Sequence, residues 1–183
     1  MAICSLNKNL KKDDGCGYVL QSVTKVYLAN ASGAKFAEQA DEDGHISVSG
    51  VTLRTGATWF EIEPAKNTAS FTDVLNVTDS GNKYRTHTLS FSVTGIYSED
   101  MEKAVDGLSL GSYIAIAQFA SGDAVLLGSP SAGLEATVVT NTGSASAGEA
   151  SGISVEMSAD VTSSALHLTK EDVEKLNVAP RGE

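Results

Sequence analysis

Cysteine is scarce: Cys4 and Cys16, both near the start, are the two in 183 residues. A secreted scaffold held by disulfides would carry a denser set, so two free thiols in a reducing compartment are expected. No Cys or His lies near them at ligand spacing, which argues against a zinc site. Aromatic residues reach only 6 %. They are not interleaved with basic residues, which disfavours a single-strand stacking platform. Trp59 stands alone, which disfavours a carbohydrate cleft. Lys and Arg number 13 against 23 Asp and Glu, for a formal net charge of −10. Wrapping nucleic acid by neutralising phosphates requires the opposite balance. No apolar run approaches the roughly 18–20 residues that span a bilayer. The first 20 residues show no signal-peptide pattern, so synthesis and retention in the cytoplasm are expected, at least before assembly.

Catalytic constellations are missing as well. There is no GxSxG elbow, P-loop or HExxH. His45, His87 and His167 lie far apart in the sequence without obvious partners. Glu61 and Glu63 flank Ile62, and Glu99, Asp100 and Glu102 open a helical segment; a solvated face and helix-dipole complementation account for both sets. The DEDG run at 41–44 lacks the later Glu of an EF-hand loop. The expectation is a protein that is not an enzyme and binds no metal and no cofactor.

What the chain has is Gly, Ser, Thr, Ala and Val in quantity with only 3 prolines. That mixture suits strands and turns. Strands are expected at 22–30, 45–56, 57–64, 112–120, 124–128, 133–143 and 152–161. Residues 31–44 read as turn-rich, with one helical turn around Phe36. SEDMEKAVDGLSLG (98–111) has acidic residues in its first turn and Met101, Ala104, Val105 and Leu108 at helical spacing, and predicts a helix. A short second helix is expected after Thr169, with Asp172 three residues on as in a capping box. The fold class is mainly β: a β-sandwich or partly open barrel with one flanking α-helix, a long β-hairpin and a short C-terminal helix. The expected divisions are an arm at 1–20, a β-domain at 21–165 and a tail at 166–183.

The hairpin dominates the pattern. NTASFTDVLNVTD (67–79), a turn at Ser80-Gly81-Asn82, and KYRTHTLSFSVTG (83–95) read as two long alternating strands. One face holds Phe71, Leu75, Val77, His87, Leu89, Phe91 and Val93, interrupted by Asp73. The other is tiled with Ser70, Thr72, Asn76, Thr78, Thr86, Thr88, Ser90, Ser92 and Thr94. A long ribbon with an open edge must be covered or paired. Pairing it with further copies, ring-wise, would close a barrel with a wet and uncharged bore. The simpler reading is the solvent side of an antiparallel sheet.

The stretch TASFTDVLNVTDSGNKYRTHTLSFSVTG, followed by SEDMEKAVDGLSLGSYIAIAQFASGDAVLLGSPSAGLEATVVTNTGSASAGEASGISVEM, resembles the tail tube proteins of tailed bacteriophages. Residues 69–160, about half the chain, match their order of long hairpin, short helix, buried strand pair, polar strand, small-residue loop and alternating last strand. The resemblance implies a virion protein made in the host cytoplasm. It implies hexameric rings that stack into a tube, contact other tail proteins and pass DNA without gripping it. A tail terminator, a baseplate hub piece or a capsid decoration protein is the alternative. The nine polar hairpin residues would line the lumen. Lys83 and Arg85, basic residues near the hairpin tip, depart from a neutral lining; with Asp79 they are candidates for contacts between rings.

Overall fold

The computed structural model describes residues 22–40, 46–95, 98–143 and 151–180. Cys4, Cys16, the arm at 1–20, His45 and the DEDG run lie outside them. The strands are β1 (Val23–Asn30), β2 (Ala34–Ala40), β3 (Ile46–Leu53), β4 (Phe60–Ile62), β5 (Ser70–Val77), β6 (Lys83–Thr94), β7 (Ser112–Phe119), β8 (Ala124–Leu127), β9 (Leu134–Thr142), β10 (Gly152–Val161) and β11 (Leu166–Leu168). Helix α1 (Glu99–Leu110) joins β6 to β7, and α2 (Lys170–Glu174) follows β11. The mainly β class expected from the sequence is the one observed, with an open sheet and two helices.

Among the described residues, nine strands form one sheet that does not close, and β2 pairs with β3 separately. Its main path runs β11-β8-β7-β9-β10-β6-β5, with β1 pairing both β7 and β4. Every ladder is antiparallel. The sheet turns a corner at β7, where Ser112 and Tyr113 pair with Glu135 and Leu134 before β7 continues beside β1 and β8. Two half-sheets result: β4-β1-β7-β8-β11 and β9-β10-β6-β5.

The core lies between them. Val26, Leu28, Ala115, Ala117 and Leu127 of the first half meet Leu89, Phe91, Ile153, Val155 and Met157 of the second. On the other side of the first half, Tyr27, Ala29, Ile114, Ile116 and Leu126 pack against Trp59, Leu168 and Val173, with Phe36, Val51 and Leu53 of the β2–β3 hairpin around them. β1 and β7 are therefore buried on both faces, which explains their continuous apolar runs. The second half-sheet is buried on one face only; β6 and β10 alternate along their length, whereas β9 carries a register shift beside Glu156.

Two local expectations change. Phe36 does not sit in a helical turn. Ala34–Ala40 is a strand, although Ala, Lys, Glu and Gln favour helices, because its ladder with β3 covers the β1–β7 face. The segment from 166, expected as a tail, joins the body: β11 pairs with β8 and Val173 is buried. Thr169 caps α2 with Asp172 as the capping-box partner. No helix among the described residues is long and apolar enough to cross a membrane.

Gly152 is placed where a side chain would break the ladder. A methyl group there would overlap the Val93 carbonyl oxygen of the paired β6 strand. Gly152→Ala is expected to cost about 1–3 kcal/mol, as overpacking against fixed backbone does, read from the urea unfolding midpoint.

Candidate functional site

The hairpin forms as its alternation requires. Val77 pairs with Lys83 at the distal end and Ser70 with Ser90 near the base. The Thr78 amide donates to the Asn82 carbonyl at 2.9 Å, and Gly81 takes φ 83°, a left-handed conformation suited to glycine. β6 continues the sheet through β10, and β10 through β9.

The outward face of these four strands is the candidate site. Ser70, Thr72, Thr86, Thr88, Ser90 and Ser92 stand on it, with Ser154, Glu156, Ser158 and Asp160 of β10 beside them. Hydroxyls bond across strands. Ser70 Oγ and Ser90 Oγ are 2.9 Å apart, and Ser92 Oγ and Ser154 Oγ 3.0 Å. Asn76 Nδ2 donates to Thr86 Oγ1 at 2.7 Å, and Thr86 Oγ1 donates to Asp160 Oδ1 at 2.6 Å, a relay over three strands. Such cross-strand polar pairs stabilise the sheet by tenths of a kcal/mol each and hold short side chains down.

Not every candidate residue tiles this surface. Thr78 sits in the hairpin loop, its hydroxyl 2.8 Å from Ser80 Oγ. Thr94 does share the face, exposed at the far end of β6 opposite Gly152. Val74, half-exposed, interrupts the hydroxyl rows. The hairpin reading also missed half of the face. β10 and β9 extend it and add Glu156, Asp160 and Glu135, while none of the four strands turns a Lys or Arg outward. The signal was the alternation at 152–161, which resembles that of β6; its pairing partner was not readable.

Both borders of this half-sheet carry free strand edge among the described residues. β5 pairs only with β6, and β9 is paired by β7 only at Leu134 and Glu135, leaving 136–142 open on that side. Helix α1 lies beside β9, with Val105 and Leu108 packed into the core.

Of the tip residues, Asp79 and Lys83 are exposed, whereas Arg85 is engaged within the chain. It lies on the inward face, and its Nε donates to Asp73 Oδ1 at 2.6 Å. Asp73 Oδ2 accepts the Ala165 amide at 3.0 Å. Next to them His87 is 1 % exposed, and its Nδ1 accepts the Gly128 amide at 3.1 Å. These contacts tie the hairpin to the end of β8 and to the loop before β11, along the seam where no ladder joins the two half-sheets. Asp73, an interruption in the apolar stripe by sequence, is the centre of that seam.

Burial acts to raise the Asp73 pKa, but the hydrogen bonds from Arg85 and the Ala165 amide, with the nearby His87 and Arg85 charges, outweigh it and leave it lowered. Burial lowers the His87 pKa; Asp73 opposes this, Arg85 adds to it and the Ser163 backbone opposes it. Because Nδ1 accepts a hydrogen bond, the neutral ring carries its proton on Nε2, 3.6 Å from Asp73 Oδ1. Protonating Nδ1 would set two donors face to face. The folded state thus binds this proton less readily than the unfolded chain does. Its stabilising contribution is complete above the unfolded pKa of about 6.5 and is lost as pH falls through the lower folded value. The urea midpoint is expected to fall between about pH 7.5 and pH 5.5, and His87→Phe to flatten that slope. Equal slopes for the two proteins would remove His87 from the account.

No metal-ligating cluster of three or more His, Cys, Asp or Glu occurs among the described residues. Set against protein-family models, curated proteins and solved structures, the chain finds no match in any of the three.

Proposed function

We propose that this chain is a structural subunit that assembles by joining its β5 edge to the β9 edge of the next copy, making a ring whose bore is the hydroxyl face. The observation that carries the reading is a single half-sheet with free edge at both borders among the described residues and a polar, acid-tinged outer face. Strands alternate in direction across β5-β6-β10-β9. Copies related by rotation would therefore meet antiparallel, as a continuous barrel requires. Such a head-to-tail contact closes into a ring. Six copies, the number the resemblance implies, would bring about 24 strands, beyond the 16–18 at which porin barrels already enclose an aqueous channel.

The chemistry of the lining suits passage of DNA. Short hydroxyls bonded to one another offer no long cation to a phosphate, and Glu135, Glu156 and Asp160 repel it. The reading is therefore a tail tube protein of a tailed bacteriophage, acting in the virion after assembly in the host cytoplasm. Its partners are further copies, other tail proteins and DNA in transit. Asp79 and Lys83 at the hairpin tip are available for contacts between copies.

Negative-stain electron microscopy with size exclusion at rising concentration tests this. Stacked rings or tubes with a central hole are expected. Discrete rings that never stack would shift the reading to a terminator or hub component. A protein that stays monomeric at its highest soluble concentration would count against ring formation by these edges.

A further inference from the structure

We propose that the C-terminal end of α1, through Leu110 and Asp106, is the receptor for Val77 and Lys83 of the next copy. This rests on the edge-to-edge reading above and names the surface that would secure it.

The apolar side of the hairpin outruns the body that covers it. Leu89 and Phe91 are buried, but Leu75 and Val77, further toward the tip, are 51 % and 58 % exposed. At the opposite border Leu110 is 89 % exposed. Singly, exposed apolar residues require no explanation. Their placement on complementary borders does.

Leu110 is two residues before Ser112, which pairs with Glu135 at the start of β9. It therefore stands where β7 leaves β9 and the open edge at 136–142 begins. An incoming β5 would run antiparallel to β9. Laid along the whole of that edge, β5 brings Val77 to the Ala136 end, beside Leu110, and Ser70 to the far end. The inward face of the incoming hairpin then lies over α1, because α1 packs from the core side through Val105 and Leu108. The stagger this demands is what closing a sheet into a barrel imposes.

Charge and spacing agree. Lys83 is the cross-strand neighbour of Val77, so their Cβ atoms lie about 5 Å apart. Asp106 precedes Leu110 by four residues in α1, one helical turn, about 5–6 Å between Cβ atoms. An apolar residue with a cation thus faces an apolar residue with an anion at matching separation. Lys83 and Asp106 are exposed and make no ion pair among the described residues, while Lys103 on the same helix is taken by Glu99 at 2.7 Å.

The test is charge reversal and its rescue in the full chain. Lys83→Asp and Asp106→Lys are each expected to raise the concentration for half-assembly, measured by sedimentation velocity, by about tenfold, the factor that 1.4 kcal/mol carries. Lys83→Asp/Asp106→Lys is expected to return it close to the wild-type value. Leu110→Asp should weaken assembly without a rescuing partner. Circular dichroism should give unchanged melting for each variant, since all sites are exposed. A photo-crosslinking residue at Leu110 should join copies through a peptide covering 74–84. If wild type assembles, but the double reversal is no better than the singles and crosslinks map elsewhere, this contact is overturned and the edge-to-edge reading stands. If wild type does not assemble, both fall.

Discussion

Asp73→Leu is expected to lower stability by about 3 kcal/mol, the lower end of the range for breaking a buried pair. By pattern alone the change looks favourable, since it completes an apolar stripe of Phe71, Leu75 and Val77. The seam dictates the opposite. Asp73 takes the Arg85 guanidinium on one oxygen and the Ala165 amide on the other. Leucine would leave a partly buried cation and an amide without their acceptor, each costing about 1–3 kcal/mol. It would also detach the hairpin from the loop before β11. For a chain of this size the melting temperature should drop by roughly 10 °C, taking 2–4 °C per kcal/mol. Asp73→Leu/Arg85→Leu should recover much of the loss, because removing both partners of a pair leaves no orphaned charge. A single Asp73→Leu variant as stable as wild type would refute the seam.

Under the tail tube proposal, Thr88→Lys with Ser90→Lys is expected to show the largest functional effect with nearly no effect on folding. Both side chains point outward from the middle of the hydroxyl face. Substitutions there should cost within about 0.5 kcal/mol. In a closed bore they would place cations from every copy around a narrow column of water, where field lines are focused. Assembled wild-type tubes are expected not to retain DNA. Tubes of the double variant should retain it at low salt and release it as salt rises, with the steep dependence that phosphate contacts impose. Phage carrying both substitutions should fail to eject. Normal ejection, or double-variant tubes that ignore DNA, would mean that this face does not line the bore.

The sequence alone specifies the strands of the hairpin, its turn, helix α1, the capped α2 and the two-sided burial of β7. Each is a local matter: alternation of two, helical spacing, a glycine turn, or a short apolar run bounded by turn residues, as a buried strand has. It also separated the polar face of the hairpin from the apolar one. Which strands stand beside β6 follows from long-range pairing. The alternation of 152–161 was visible, but alternation carries no address. The acidic residues Glu156 and Asp160 joined the hydroxyl rows only through the β6–β10 register. The same limit hid the roles of Asp73, Arg85 and His87. Ala165, the partner of Asp73, and Gly128, the partner of His87, lie 92 and 41 residues away. A polar residue in an apolar stripe reads as a defect until the fold supplies groups to pair with it. The strand at Ala34–Ala40 was missed for a related reason: its residues favour a helix locally, and burial against the β1–β7 face outweighs that preference. Local pattern sets what each segment is, and long-range pairing sets what each face meets.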